Sequence, residues 1–536
     1  SILGRLKMYG QSDGGGSVPG TDALEKTAKQ FRDSFDARAG GFGEAPKFPR
    51  PSELLFLMRE HARTGAEPPL AMALHTLRAM AIGGMRDHIG GGFHRYSVDG
   101  DWRVPHFEKM LYDQAQLVLA YLEASQATGD RSYADVAVDT LLYVRRDLGH
   151  PDGAFYSAED ADSVPPEQAQ DHSAHKSEGA FYIWRDEEIQ EVLGEDAGVF
   201  RIRYGVLPDG NAPFDPQNEF VHKNLLYTAR GIDEVIAATA KSRDEVEAAL
   251  ARARVRLFER RALRPRPHLD DKVLTAWNGL MIAAFARASR VIDIAYRAPA
   301  RRAALFIWKH LWNPDTRTLL RRYRRGDAAV EAYAEDYAYL IFGVLELFQA
   351  DGDARWLEWA LMLQRRQDEL FADPVEGGWF STTGRDQTVL LRLKEDYDGA
   401  EPSATSVSVM NLLTLSHLIN EETFEQSIDR AIGTFASRVE QAARTVPMMM
   451  AALSTYHAGL SQIVVSGESL RDVLRRRYLP FAITIPLVRE HAGAIGKLLP
   501  WTAAMAERSD QPTAYVCRNF TCEAPVTSPA ELEAKL

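Results

Sequence analysis

Cysteine is nearly absent from this chain: Cys517 and Cys522 are the only two in 536 residues. Two cysteines exclude a disulfide framework, and their scarcity agrees with a reducing compartment, so a cytoplasmic protein is expected. No apolar run reaches the roughly 18–20 residues that cross a bilayer, and no membrane span is predicted. The opening SILGRLKMYGQSDGGGSVPG lacks the cationic start and apolar core of a signal peptide, and reads as a linker over residues 1–20. The first residue is Ser rather than Met, so a further segment upstream is expected. Positive charge is also scarce. A net charge of -12 argues against general nucleic-acid binding, which needs clustered Lys and Arg. The two basic runs, RRYRR at 321–325 and RRR at 475–477, read as solvated faces. There is no P-loop, no GxGxxG after a strand, no GxSxG elbow and no HExxH pair. No cofactor and no metal are expected.

What the chain does have is helical periodicity. Apolar residues recur at helical spacing over some fourteen segments between residues 21 and 458, with no βαβ alternation. Short turns such as Thr128-Gly129-Asp130 alternate with long loops that open on Gly and an aromatic residue. GGFGEAPKFPRP from Gly40, GGFHRYSVDGDWRVPHFEKML from Gly91, GAFYSAEDADS from Gly153 and GGWFSTTGRD from Gly377 each lead toward carboxylates near the next helix. Such repetition predicts a mainly α fold, an (α/α)6 toroid over 21–458, with an open solenoid as the alternative. Segments 274–288, 336–348 and 403–413 are apolar on nearly all sides and suit an inner ring. After Gly459 the pattern becomes strand-helix-strand-helix-strand, a small α/β region over 459–536.

The chemistry is sought where the long loops would gather. Acids cluster at inner-helix starts, among them Glu108, Asp113, Asp160, Asp271, Asp336, Asp398 and Glu401. Each alone could cap its helix for about 0.5–1 kcal/mol. Converging on one rim, they could split their pKa values into an acid and a base. Asp271 and Asp336 are the expected acid/base pair, supported by His106, Glu108, Asp398 and Glu401. Trp102, Trp277 and Trp379 are candidates to stack on a sugar face, with Tyr112, Tyr337, Asn278 and Asp160 beside them. Lys47 and Arg95 could bind an anionic group of a ligand. Cys517 and Cys522 are spaced unlike a CxxC dithiol and read as two structural thiols near a strand and turn.

Several long segments carry a resemblance. GGFGEAPKFPRP (40–51), GGFHRYSVDGDWRVPHFEKMLYDQAQL (91–117), FYSAEDADS (155–163), EGAFYIW (178–184), DDKVLTAWNGLMI (270–282), EDYAYL (335–340), DYDGAEPSATSV (396–407) and YVCRNFTCEAP (515–525) closely resemble the thioredoxin-domain-containing proteins related to spermatogenesis-associated protein 20. The resemblance spans nearly the whole chain. It implies a six-hairpin toroid similar to glycosidase-like and N-acylglucosamine 2-epimerase-like folds, and a thioredoxin-like domain ahead of residue 1. No WCxxC segment occurs in the chain itself, which lacks that domain.

Two main functions fit these features. One is a carbohydrate-active enzyme, an epimerase, isomerase or glycoside hydrolase, acting on a small-molecule or glycan ligand in the toroid mouth. The other is a non-catalytic binding or scaffold module serving an upstream thioredoxin-like domain. A cyclase-like toroid is a third, resting on Asp160-Ala-Asp162 alone.

Overall fold

A computed structural model describes residues 16–171, 173–216, 218–385, 388–507 and 510–536. Residues 1–15 of the expected linker lie outside the described residues. Six helices form an inner ring: Pro51–Thr64, Leu111–Thr128, Thr275–Val291, Ala334–Asp351, Ala404–Leu418 and Pro447–Ala458. Each packs on the next, and the last packs back on the first, so the ring closes and the open solenoid is excluded. Six more helices stand outside: Thr21–Ser34, Glu67–Ile82, Arg131–Asp147, Arg297–His310, Ala354–Phe371 and Glu422–Thr434. The fold is mainly α, an (α/α)6 toroid.

The local sequence explains this division. Leu111–Thr128 buries every residue from Leu111 through Ala124, as a helix with neighbours on several sides must. It stops at Gly129, whose φ of 71° is the left-handed cap a side chain would resist. Asp130 then accepts Ser132 N–H and starts the outer partner. Between inner helices Thr275–Val291 and Ala334–Asp351 the backbones nearly touch. A Cβ on Gly279 would lie 2.5 Å from the Tyr339 carbonyl oxygen, and one on Gly343 would lie 2.4 Å from that of Gly279.

The Gly-aromatic loops form one repeated device. After each of five outer helices the chain makes a tight antiparallel loop, pairing Phe35 with Phe42, Arg86 with Phe93, Gly149 with Phe155, Trp312 with Leu319, and Ala372 with Trp379. Two inner helices grip these loops alike. Gln114 accepts Phe93 N–H and donates to Phe93 O, and Asn278 does the same with Phe155. Asn278, expected to touch ligand, is therefore a buried clamp on its own loop.

Residues 148–274 depart from the repeat. Helices Asp186–Leu193, Ala197–Tyr204, Ile232–Thr239 and Arg243–Ala262 stand outside the two rings. Three of them share a small core with Trp184, Ile189, Phe200 and Leu257. Ile232–Thr239 and Arg243–Ala262 are separate helices, because Ala240 turns left-handed and Ser242 caps the second.

At the other end, strands Ser461–Ser466, Ala482–Pro486, Thr513–Arg518 and Thr521–Cys522 form one sheet. Its first two strands are parallel, and its third and fourth pair antiparallel. This α/β unit lies over the C-terminal ends of the inner helices, and its Ile483, Ile485, Leu487 and Tyr515 belong to the same core as the ring. The reading of two separate thiols is corrected: Cys517 and Cys522 sit opposite in a hairpin, Cα atoms 3.9 Å apart, joined as a disulfide. Among the described residues no helix is long and apolar enough to cross a membrane.

Candidate active site

The long loops gather at the N-terminal ends of the inner helices, opposite the α/β unit. The residues fall into two groups there, one that holds the ring together and one that remains open to chemistry.

Most of the expected catalytic acids hold structure. Asp336 is fully buried. Its carboxylate accepts Tyr333 N–H at the start of its own helix, Ala276 N–H at the start of the neighbouring one, and Arg321 at 2.9 Å. Burial pushes it to about 6, with Arg321 pulling down. Asp398 has the same role between another two helices. It accepts Ser403 N–H at 2.7 Å and Met448 N–H at 2.8 Å, joining helices Ala404–Leu418 and Pro447–Ala458. Burial raises its pKa and these backbone donors oppose the rise. Asp271 is held by Arg324 and by Arg325 at 2.7 Å, which keep it below the usual carboxylate range against the effect of burial. The acid/base pair expected of Asp271 and Asp336 is therefore corrected: neither has a free oxygen to offer. The run RRYRR is a partly solvated face, with Arg325 exposed, whose Arg321, Arg324 and Arg325 also pair with these acids.

Several expected ligand contacts are structural as well. Lys47 is buried between Asp36 at 2.6 Å and Gly40 O at 2.8 Å. Trp102 is buried and donates to Ala39 O. Trp379 is buried and donates to Asp368 on an outer helix, and Tyr337 packs against Phe371. Asp160 folds onto its own loop, accepting Ala161 N–H at 2.8 Å. An aromatic beside a polar loop in sequence often points inward, because the polar neighbours satisfy the backbone while the ring seeks the core.

What remains open is a compact cluster built on Glu401. Trp277 donates its indole N–H to Glu401 Oε2 at 2.8 Å. Gln116 donates to the carbonyl of Ala400 at 3.0 Å, and the Tyr339 hydroxyl donates to that of Pro402. Three inner helices thus fix the segment that carries Glu401. Burial, then the charge of Glu335, pushes this carboxyl up to about 8, while the indole N–H pulls it down. Trp277 meets Tyr112 edge-on, ring centroids 4.9 Å apart. Beside Tyr112 is Asp113, buried, with Oδ2 lacking a hydrogen-bond partner among the described residues. Burial raises Asp113 well above the usual range, and both Glu401 and Glu108 act on it in the same direction.

Glu108 is the ionised counterpart. His106, 3.7 Å away, and Arg95 at 2.9 Å hold it below the usual value. His106 bonds Glu178 at 2.7 Å, and Glu108 and Glu178 raise it to about 9. Its charged form is favoured at neutral pH, and it lies beside Glu108 and Glu178 rather than the Asp271 and Asp336 pair it was expected to support. Residues 105–106 and 109–110 are short strands, and the helix begins at Leu111, so His106 and Glu108 precede the helix on which they were placed.

The sequence brought six named residues to one place: His106, Glu108, Glu401, Arg95, Tyr112 and Trp277. It missed Glu178, which the insertion 148–274 swings in, and did not select Asp113 as a site residue. The signal for Asp113 was available. It is an acid in the first turn of a helix buried on all sides, where burial without a partner costs several kcal/mol if the group is charged.

No family model matches this chain. Human spermatogenesis-associated protein 20 is 39% identical over 544 residues, which cover 95% of this chain and 68% of the human protein. The mouse protein of the same name is 37% identical over 571 residues, 100% of this chain and 71% of its own. Among solved structures, a GH76 alpha-mannanase of Bacteroides thetaiotaomicron aligns with a TM-score of 0.48 at 9% identity, covering 81% of this chain and 96% of that one. An unsaturated glucuronyl hydrolase of Bacillus sp. GL1 aligns with a TM-score of 0.41 at 13% identity, covering 78% and 83%. At such identity over nearly its whole length, the chain belongs to the spermatogenesis-associated protein 20 family.

Proposed function

We propose that this protein is a carbohydrate-active acid/base enzyme whose substrate enters the toroid mouth between Trp277, Tyr112 and Arg95. The observation that carries this reading is that two carboxyls acting on the same buried Asp113 are shifted apart: Glu401, fixed by the Trp277 N–H, is raised to about 8, while Glu108, paired with Arg95, is lowered. A protonated and an ionised carboxyl in one pocket are the two groups that glycosidic or sugar-isomerising chemistry requires. Glu401 is the proton donor to a substrate oxygen. Glu108 is the ionised partner that takes a proton from a water or hydroxyl, held in place by Arg95 and His106. Asp113 offers its unpartnered carboxyl to a ligand hydroxyl. Trp277 is half-buried, whereas Trp102 and Trp379 are buried, so it is the indole that can cover a sugar face.

Epimerisation at the carbon beside a sugar carbonyl exchanges a carbon-bound proton with solvent, and hydrolysis frees a reducing end. Incubation of a panel of reducing sugars and oligosaccharides in D2O, read by NMR, distinguishes the two. Turnover by the wild type and a loss of about 10²–10⁴-fold in Glu401→Gln are expected. Turnover unchanged in Glu401→Gln sinks the assignment. No turnover on the whole panel, together with a stably bound protein partner, favours the scaffold reading instead.

A further inference from the structure

The closed end of the ring holds a second cavity. Its volume is about 160 Å³, close to the ~150 Å³ that accepts a benzene ring in an engineered core. All six inner helices line it, through Arg59, Gln126, Arg287, Phe342, Met410 and Thr455, and the α/β unit closes it with residues 468–486. It opens to solvent at Glu468 and Arg477, both exposed.

One wall is cationic beyond what its acids neutralise. Arg59, Arg287 and Arg290 share two carboxylates, Glu123 and Glu346. Arg471 and Arg475 share Glu468, and Arg475 also takes Asp472. Arg297 and Arg477 form no ion pair among the described residues. Four of these guanidinium groups, on Arg59, Arg290, Arg297 and Arg471, keep a buried Nε–H without a hydrogen-bond partner. Burial lowers Arg297, and the charges of Arg471 and Arg301 lower it further against Asp351.

Helix C-terminal ends attract cations, which accounts for Arg290 in the last turn of Thr275–Val291. It does not account for Arg471, Arg475 and Arg477, which the α/β unit brings from its own helix and the residues after it. The run RRR at 475–477 is thus no simple solvated face, since Arg475 and Arg477 line a cavity. The opposite wall is apolar, with Phe342, Leu345, Met410 and Ile483.

We propose that this cavity is a binding site for a small organic phosphate, its phosphate on Arg297 and Arg471 and its organic part on the apolar wall. Guanidinium groups with free N–H donors suit phosphate oxygens, and a site lined by both ring and α/β unit would fasten one to the other when filled.

Isothermal titration of the full chain with phenyl phosphate and with inorganic phosphate tests this at fixed ionic strength. Saturable binding, tighter for phenyl phosphate, is expected. Arg297→Gln and Arg471→Gln should each weaken it about tenfold or more, as loss of a charged hydrogen bond does. Arg317→Gln, an exposed arginine paired with Glu369 outside this cavity, should change nothing. Thermal melts give a second reading, since a ligand that binds only the folded chain raises Tm with its concentration. If Arg297→Gln does not fold, Arg471→Gln, partly exposed on the α/β helix, carries the test. No saturable binding of either anion, equal affinity for both, or affinity untouched by the folded variants overturns the proposal.

Discussion

Glu401 and His106 are raised for opposite reasons, and each difference is measurable. Burial and Glu335 favour the neutral form of Glu401, so its proton is present below about pH 8 and the turnover it supports should fall as pH rises past that value. The Trp277 N–H favours the ionised form, so Trp277→Phe should move this titration upward. Carbon-13 NMR of the Glu401 carboxyl reads that shift whatever the activity, and a downward move would contradict the assigned bond. His106 is raised by partners that prefer it charged. Its contribution to stability is complete below its unfolded value near 6.5 and is lost as pH rises through about 9. The difference in Tm between wild type and His106→Gln should therefore be largest near pH 6 and vanish near pH 10. An equal difference at both would show that the ring of His106, stacked on Tyr96 at 5.0 Å, matters through packing rather than charge.

At the scale of elements, the rim aspartates are joints between helices. Asp398→Ala removes the acceptor for two helix starts and should cost about 1–3 kcal/mol in urea denaturation. Asp336→Ala also strips the half-buried Arg321 of a partner and should cost more. If either variant keeps full stability while turnover disappears, the joint is a catalytic group after all. Helix contact is the other element-scale constraint. A methyl on Gly279 has no room against the Tyr339 carbonyl, so Gly279→Ala should destabilise by about 1–3 kcal/mol. A Tm equal to wild type would mean that the two inner helices separate more easily than their contact suggests.

At the scale of the molecule, ring and α/β unit share one core, so calorimetry of the full chain should give a single transition. A chain ended after residue 458 should melt lower and bind a hydrophobic dye, because the ends of the inner helices lose Ile483, Ile485 and Leu487. A shortened chain as stable as the whole would refute the shared core. The sequence by itself determined the helical hairpins, while their closure into a ring was decided by the packing of Pro447–Ala458 on Pro51–Thr64. Helical periodicity, the Thr128-Gly129-Asp130 turn and the repeated Gly-aromatic loops are local signals, and that turn does separate helices Leu111–Thr128 and Arg131–Asp147. The sequence also indicated where the carboxyls gather, because acids before apolar helices mark buried N-terminal ends. Which acids join helices and which stay without such a role was decided only in three dimensions. Asp336 and Asp398 became joints because each faces the N–H groups of a second helix, and Asp271 because strand 318–324 brings Arg324 beside it. Glu401 keeps a raised pKa because three helices bury it beside Glu335 and offer its carboxyl one indole N–H. Partners distant in sequence set a carboxyl's charge, and no local pattern records them.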